Sequence, residues 1–206
     1  QAIAELLRRA DSSGAFDRMA AFLTPSIMTI PASKQVDVNL PLFLRSAVQR
    51  SDIAALKNMH DELSRKPELQ SRIALISDAL GSGFAGGPLG FDIETRLSAG
   101  GTVQVQAQRD AFIALALGAT LSEKSEEQIA ILGTGAGKSV PLWKSLALDS
   151  AVRDGAKAEV ILWAVDIMSE GKLNNAGLYT VISALRQSGL DKIAGQVAAA
   201  DLLAGM

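Results

Sequence analysis

The chain has no cysteine and a single histidine, His60, among 206 residues. A disulfide framework and a cysteine-ligated metal centre are both excluded. Aromatic residues are 4% of the chain while apolar residues are 48%, so the core must be built from alanine and leucine, both strong helix formers. No stretch approaches the ~20 apolar residues needed to cross a bilayer, and no membrane span is expected. Neither charge is in excess. Lys and Arg total 20 against 22 Asp and Glu, and the balance holds in each half. Duplex-binding proteins usually carry a basic face; none is visible, which argues against a nucleic-acid partner. No signal peptide is visible either. The chain opens Gln1-Ala2-Ile3-Ala4 in helical pattern without an initiator methionine, which reads as a fragment of a longer protein.

What the chain does have is a beat of glycines. Gly81, Gly100, Gly118, Gly137, Gly155, Gly171, Gly189 and Gly205 each close an Ala/Leu-rich run, at steps of 19, 18, 19, 18, 16, 18 and 16 residues. One step holds a short helix and the glycine that stops it. Two steps make a helical hairpin, and hairpins recurring with a period in the 30s are how an α-solenoid looks in sequence. The expected fold is all-α: antiparallel helix pairs stacked as an α-solenoid-like array of about ten helices.

Five segments follow. Residues 1–23 form an N-terminal helical segment, broken near Ser12-Ser13-Gly14. Residues 24–41 carry Pro25, Pro31 and Pro41, which exclude a continuous helix and suggest a linker or extended strap; Val36-Asp37-Val38 alternates like a brief strand. Residues 42–80 form a helical sub-domain, with Ser51 or Asp52 as a cap and Pro67 opening its last helix. Residues 81–88, Gly-Ser-Gly-Phe-Ala-Gly-Gly-Pro, read as a joint. Residues 89–206 form a helical-repeat sub-domain. Within it the run 111–117 is apolar all round and should be central. Ser122 starts a helix, Pro141 opens another whose face is Trp143, Leu146, Ala147 and Ala151, and Asn174 or Asn175 caps a third.

Residues 140–204 resemble the helical-hairpin repeats of bacterial proteins in the tetratricopeptide and related solenoid class. Leu142-Trp143-Lys144-Ser145-Leu146-Ala147 and Ala184-Leu185-Arg186-Gln187-Ser188-Gly189-Leu190 carry the likeness. The Leu-Gly that should follow the tryptophan of a tetratricopeptide repeat is not at its offset from Trp143. The resemblance implies a surface that binds other proteins or peptides.

Few residues offer chemistry. Gly133-Thr134-Gly135-Ala136-Gly137-Lys138-Ser139 looks like a phosphate loop, with Gly133, Gly135, Gly137, Lys138 and Ser139 as its candidate contacts. Such a loop needs four residues between the first glycine and the Gly-Lys pair; here three intervene, and Pro141 follows too soon for the required helix. A Gly-rich inter-helix loop is the plainer reading. His60 shares the spacing of Ile53, Leu56 and Leu63 and reads as a residue at the edge of an apolar face. Ser169-Glu170-Gly171-Lys172 reads as a helix end, and Glu123, Glu126 and Glu127 as complements to a helix dipole. No catalytic, cofactor-binding or metal-binding residue is assigned, and no cofactor is expected. Trp143, Trp163 and Tyr179 fit a core; exposed, they would be partner-binding hot spots.

The expected function is that of a non-enzymatic interaction or scaffolding module of a bacterial protein, receiving a peptide or partner helix between hairpins. One alternative is nucleotide binding through a degenerate loop at 133–139. Another is an accessory helical domain of a larger envelope enzyme. A soluble bacterial protein of cytoplasm or periplasm is expected.

Overall fold

The computed structural model of the chain describes residues 1–81 and 91–206. It is all-α, as the composition requires. Twelve helices occur among the described residues: α1 (Ala2–Ser12), α2 (Phe16–Met28), α3 (Ala32–Gln49), α4 (Ile53–Glu62), α5 (Pro67–Leu80), α6 (Phe91–Leu97), α7 (Gly101–Ala116), α8 (Glu123–Leu132), α9 (Leu142–Arg153), α10 (Lys157–Ser169), α11 (Asn175–Gln187) and α12 (Asp191–Ala204). No strand occurs among the described residues; β pairing there is a lone bridge between Lys138 and Leu173. Helices adjacent in the chain pack in pairs, α1 with α2, α3 with α4, α4 with α5, α6 with α7 and α9 with α10, a helix-on-helix packing consistent with an α-solenoid-like array. No helix among the described residues is long and apolar enough to cross a membrane.

The glycine beat falls where the chain reverses. Gly100, Gly118, Gly137, Gly155, Gly171 and Gly189 all have positive φ. Other boundaries are set by caps. The Asp52 carboxylate accepts from the Ala55 N–H at 3.0 Å, the Ser122 hydroxyl from the Ser125 N–H at 3.3 Å, and the Asn174 amide oxygen from the Gly177 N–H at 2.8 Å. Each satisfies a backbone donor that the first helical turn leaves without an intrahelical partner. Pro67 is the first residue of α5, where its missing N–H costs nothing.

The chain divides into two compact units, residues 1–81 with 199–206, and residues 82–198. The expected second sub-domain ran on to residue 206; the last eight residues instead belong with the first unit. There the Arg72 guanidinium donates to the Gly205 carbonyl. The glycine-rich joint expected at 81–88 lies, apart from Gly81, outside the described residues.

In the first unit α1 to α5 pack in chain order around Leu7, Phe16, Ile27, Leu44, Leu56 and Ile73, all buried. The strap and strand expected at 24–41 are not there. These residues are helical: Pro31 and Pro41 sit beside helix starts, where proline is tolerated, and Pro25 lies inside α2, where it forgoes one intrahelical hydrogen bond. Pro25 lies in the last turns of α2, and Pro31 immediately precedes α3. Pro41 follows a break at Asn39, whose backbone leaves the helical region (φ −168°, ψ 80°). The Asn39 side chain accepts from the Leu42 N–H at 3.3 Å and restarts the helix. The three prolines punctuate two helices and do not prevent them.

In the second unit α6 pairs with α7 and α9 with α10, while α11 packs on α7, α9 and α10. The α7–α11 contact joins helices far apart in sequence. Arg109 reaches Asn175 and Phe112 meets Tyr179 across it, and small residues on both helices, Ala107, Ala111 and Ala114 on α7 and Ala184 on α11, are buried. Small side chains let two helix axes approach closely. Arg96 and Asp110 form a buried ion pair at 2.9 Å between α6 and α7.

Candidate functional site

The second unit carries two features that bear on function: the glycine-rich loop at 133–139 and the α9–α10 hairpin.

The loop is clasped to the turn between α10 and α11. The Lys138 N–H donates to the Lys172 carbonyl and the Asn174 N–H to the Lys138 carbonyl, both at 3.0 Å, and the Asn175 N–H donates to the Thr134 carbonyl at 2.8 Å. The Asn174 side-chain amide donates to the Ser139 hydroxyl at 3.1 Å. From α7, Arg109 donates to the Leu173 carbonyl and the Asn175 amide oxygen, each at 3.0 Å, and Gln108 donates to the Gly133 carbonyl. The Lys138 ammonium donates to the Glu170 carbonyl at the end of α10. In a phosphate loop the backbone N–H groups converge on the ligand and the lysine reaches the outer phosphates. Here the Lys138 N–H and ammonium are both turned to backbone carbonyls. The glycines serve close approach. A Cβ on Gly137 would lie 2.6 Å from the Asn174 nitrogen and the Leu173 carbonyl carbon, and its φ is +127°.

The hairpin presents a different surface. Along α9 the residues that face the interior are Lys144, Leu148 and Ala151; along α10 they are Val160, Ala164 and Ile167. Other large apolar residues point the other way. Leu142, Trp143, Leu146, Leu162 and Val165 are each between 56% and 75% exposed. The face expected for α9, Trp143 with Leu146, Ala147 and Ala151, is corrected: Ala151 is buried, but Trp143 and Leu146 lie outward. Apolar residues occupy nearly every side of α9, so its pattern names no single interior stripe. Burial of Leu148 and Lys144 decides the rotation of the helix.

Trp143 and Trp163 meet edge to face across the seam of the hairpin, with ring centres 5.8 Å apart and planes at 82°. This is the favoured geometry for an aromatic pair. The Lys144 ammonium lies 5.3 Å from the Trp143 ring centre and is held by Asp166 and Glu170 on α10. Hydrogen bonds from Lys144 to Asp166 first, and to Glu170 second, raise the lysine pKa above its ordinary value. Sequence spacing gave no sign of this triad, because its members lie 22 and 26 residues apart.

Tyr179 stands elsewhere, on α11. It is exposed and meets Phe112 edge to face at 6.4 Å. The structure therefore brings two of the three aromatic candidates together. His60 lies on α4 beside buried Met59 and Leu56, with Nδ1 3.1 Å from the Asp61 carboxylate. The Ser169 hydroxyl donates to the Asp166 carbonyl at 2.7 Å, closing the end of α10. Glu123 and Glu126 lie in the exposed first turn of α8. No group of three or more His, Asp or Glu side chains that could hold a metal ion occurs among the described residues. Elsewhere Phe22, Met28 and Ile131 are exposed, none within one helical turn of another; scattered apolar residues are normal on a protein surface.

No protein-family model, curated protein or solved structure matches this chain. The reading of its function rests on its own residues.

Two outcomes follow for the clasp and the triad. Gly137→Ala places a Cβ against backbone atoms at a left-handed position, and is expected to destabilise the protein by about 2 kcal/mol or more in urea unfolding. Gly155→Ala, with positive φ but nothing within 4 Å of its Cβ, is expected to cost less. For Lys144 the folded-state pKa is raised, so its contribution is fully present below the unfolded lysine value of about 10.4 and is lost as pH rises through the folded value. The urea midpoint of wild type should exceed that of Lys144→Met at neutral pH, and the difference should shrink above about pH 10.4.

Proposed function

We propose that this protein is a non-enzymatic interaction module whose α9–α10 hairpin receives a peptide or partner helix. One observation carries the reading. In a chain with only two tryptophans, both sit at a surface seam, flanked by outward leucine and valine side chains. A cluster of large apolar groups left in water marks an interaction surface, and exposed tryptophan is over-represented among residues that carry binding energy. Covering a Leu, Val or Trp that is more than half exposed contributes roughly 1 kcal/mol or more before association costs.

The surface is preformed. Trp143 is fixed against Trp163, and α9 is pinned to α10 by Lys144. A partner meets a site that needs little reordering, which lowers the cost of binding. Nucleotide binding at 133–139 has less support, because Lys138 and its N–H are engaged within the clasp.

Selection of a displayed random-peptide library on the full chain, with counter-selection on a Leu146→Asp/Leu162→Asp variant, tests the reading. Both side chains are exposed, so the variant should keep wild-type helicity by circular dichroism. The expected result is an enriched peptide group that binds wild type at micromolar Kd and the variant roughly tenfold or more weakly. Magnesium nucleotides should leave the melting temperature unchanged. Absence of any peptide that separates wild type from variant would contradict the reading, as would a nucleotide-dependent rise in melting temperature that Lys138→Ala abolishes.

A further inference from the structure

The chemistry around the exposed face selects among its occupants. Each apolar residue has helix neighbours three and four positions away. For Leu146 the charged neighbour is Asp149. For Leu162 they are Glu159 and Asp166. Leu142, Trp143 and Val165 have none. The charged groups three or four positions from these residues on their own helices are therefore carboxylates, all three exposed; Asp166 is already paired with Lys144, which leaves Asp149 and Glu159 to face a partner. The nearest cation, Lys144, is 7% exposed and already held by two carboxylates. Arg153 and Lys157 lie at the far end of the hairpin, beside the turn that joins its helices. Lys138 is drawn onto the Glu170 carbonyl.

We infer that the α9–α10 face takes a basic amphipathic helix: apolar anchors over Leu142, Trp143, Leu146, Leu162 and Val165, and lysine or arginine flanking them opposite Asp149 and Glu159. This rests on the docking reading above and adds the sign of the partner. A second copy of the same face would bring carboxylates against carboxylates, which costs binding energy. An anionic lipid surface meets the same repulsion. A helix with anchors at i, i+3, i+4 and i+7 matches the mode in which an amphipathic helix lies on an apolar surface. About 14 residues of helix, roughly 21 Å at 1.5 Å rise per residue, would run the length of α10.

The test uses the full chain and two Trp-free peptides of that length, with leucine at the anchor positions and either lysine or glutamate elsewhere. Trp143 and Trp163 are the chain's only tryptophans, so protein emission reports on the face itself. The lysine peptide should shift that emission, and should bind roughly tenfold or more tightly than the glutamate peptide at low salt, the ratio falling as salt rises. Asp149→Lys/Glu159→Lys should narrow or reverse the preference. Leu162→Asp adds a negative charge and removes an anchor. Diffuse ionic attraction would survive it, whereas the docked helix should be lost; Val165→Glu provides a second variant of the same kind. Equal binding of the two peptides would overturn the inference while leaving the docking reading to the library selection. An emission response to anionic vesicles but not to the lysine peptide would overturn it in favour of a membrane surface, and no response to either peptide would also overturn it.

Discussion

The structure depends on short helices with small side chains packing close together. The described helices run from 7 to 18 residues, and isolated helices of that length are marginal in water. Each must gain its stability from a buried stripe. With few aromatic residues to fill space, the stripes are alanine-rich. The packed pair α7 and α11 shows the consequence: Ala107, Ala111 and Ala114 on α7 and Ala184 on α11 are all buried. Small residues contribute less transfer energy each than leucine or phenylalanine, so helix approach has to be close and turns have to be tight. The positive-φ glycines at the chain reversals meet that second demand. The clasp around Gly135 and Gly137 meets it in the longest described connection, between α8 and α9.

That constraint makes the α9–α10 hairpin an exception. Elsewhere in the second unit exposed large apolar residues such as Val105, Ile131 and Tyr179 stand on separate helices, whereas this hairpin turns Leu142, Trp143, Leu146, Leu162 and Val165 outward together. The Lys144 triad explains how the orientation is held. A buried ammonium needs its carboxylates, and Asp166 and Glu170 supply them only when α9 is rotated so that Lys144 faces α10. Trp143, the next residue back, then lies at the seam against Trp163. One polar interaction thereby fixes which apolar groups stay in water.

Much of the architecture was legible because it is local. Glycines at helix ends, Pro67 at a helix start, and caps at Asp52, Ser122 and Asn174 act within a few residues, so their spacing in sequence is their geometry. The proline segment was misread for the same reason in reverse: Pro25, Pro31 and Pro41 look like a barrier until their positions at a late turn, a cap and a kink are known. The face of α9 was not legible, since apolar residues surround it and the deciding partners of Lys144 lie on the next helix. The buried Arg96–Asp110 pair and the hold of Arg109 on Leu173 and Asn175 also depend on distant contacts. The aromatic candidates Trp143 and Trp163 were picked out by residue type; their meeting across a seam was not.

The orientation of the hairpin can be read directly from methyl resonances of the full chain in the presence of a soluble paramagnetic chelate, which broadens groups that face water. The methyls of Leu142, Leu146, Leu162 and Val165 should broaden strongly, while those of Leu148, Val160 and Ile167 stay sharp. Sharp signals from Leu146 and Leu162 with broadening of Leu148 and Ile167 would contradict the outward face and the function built on it.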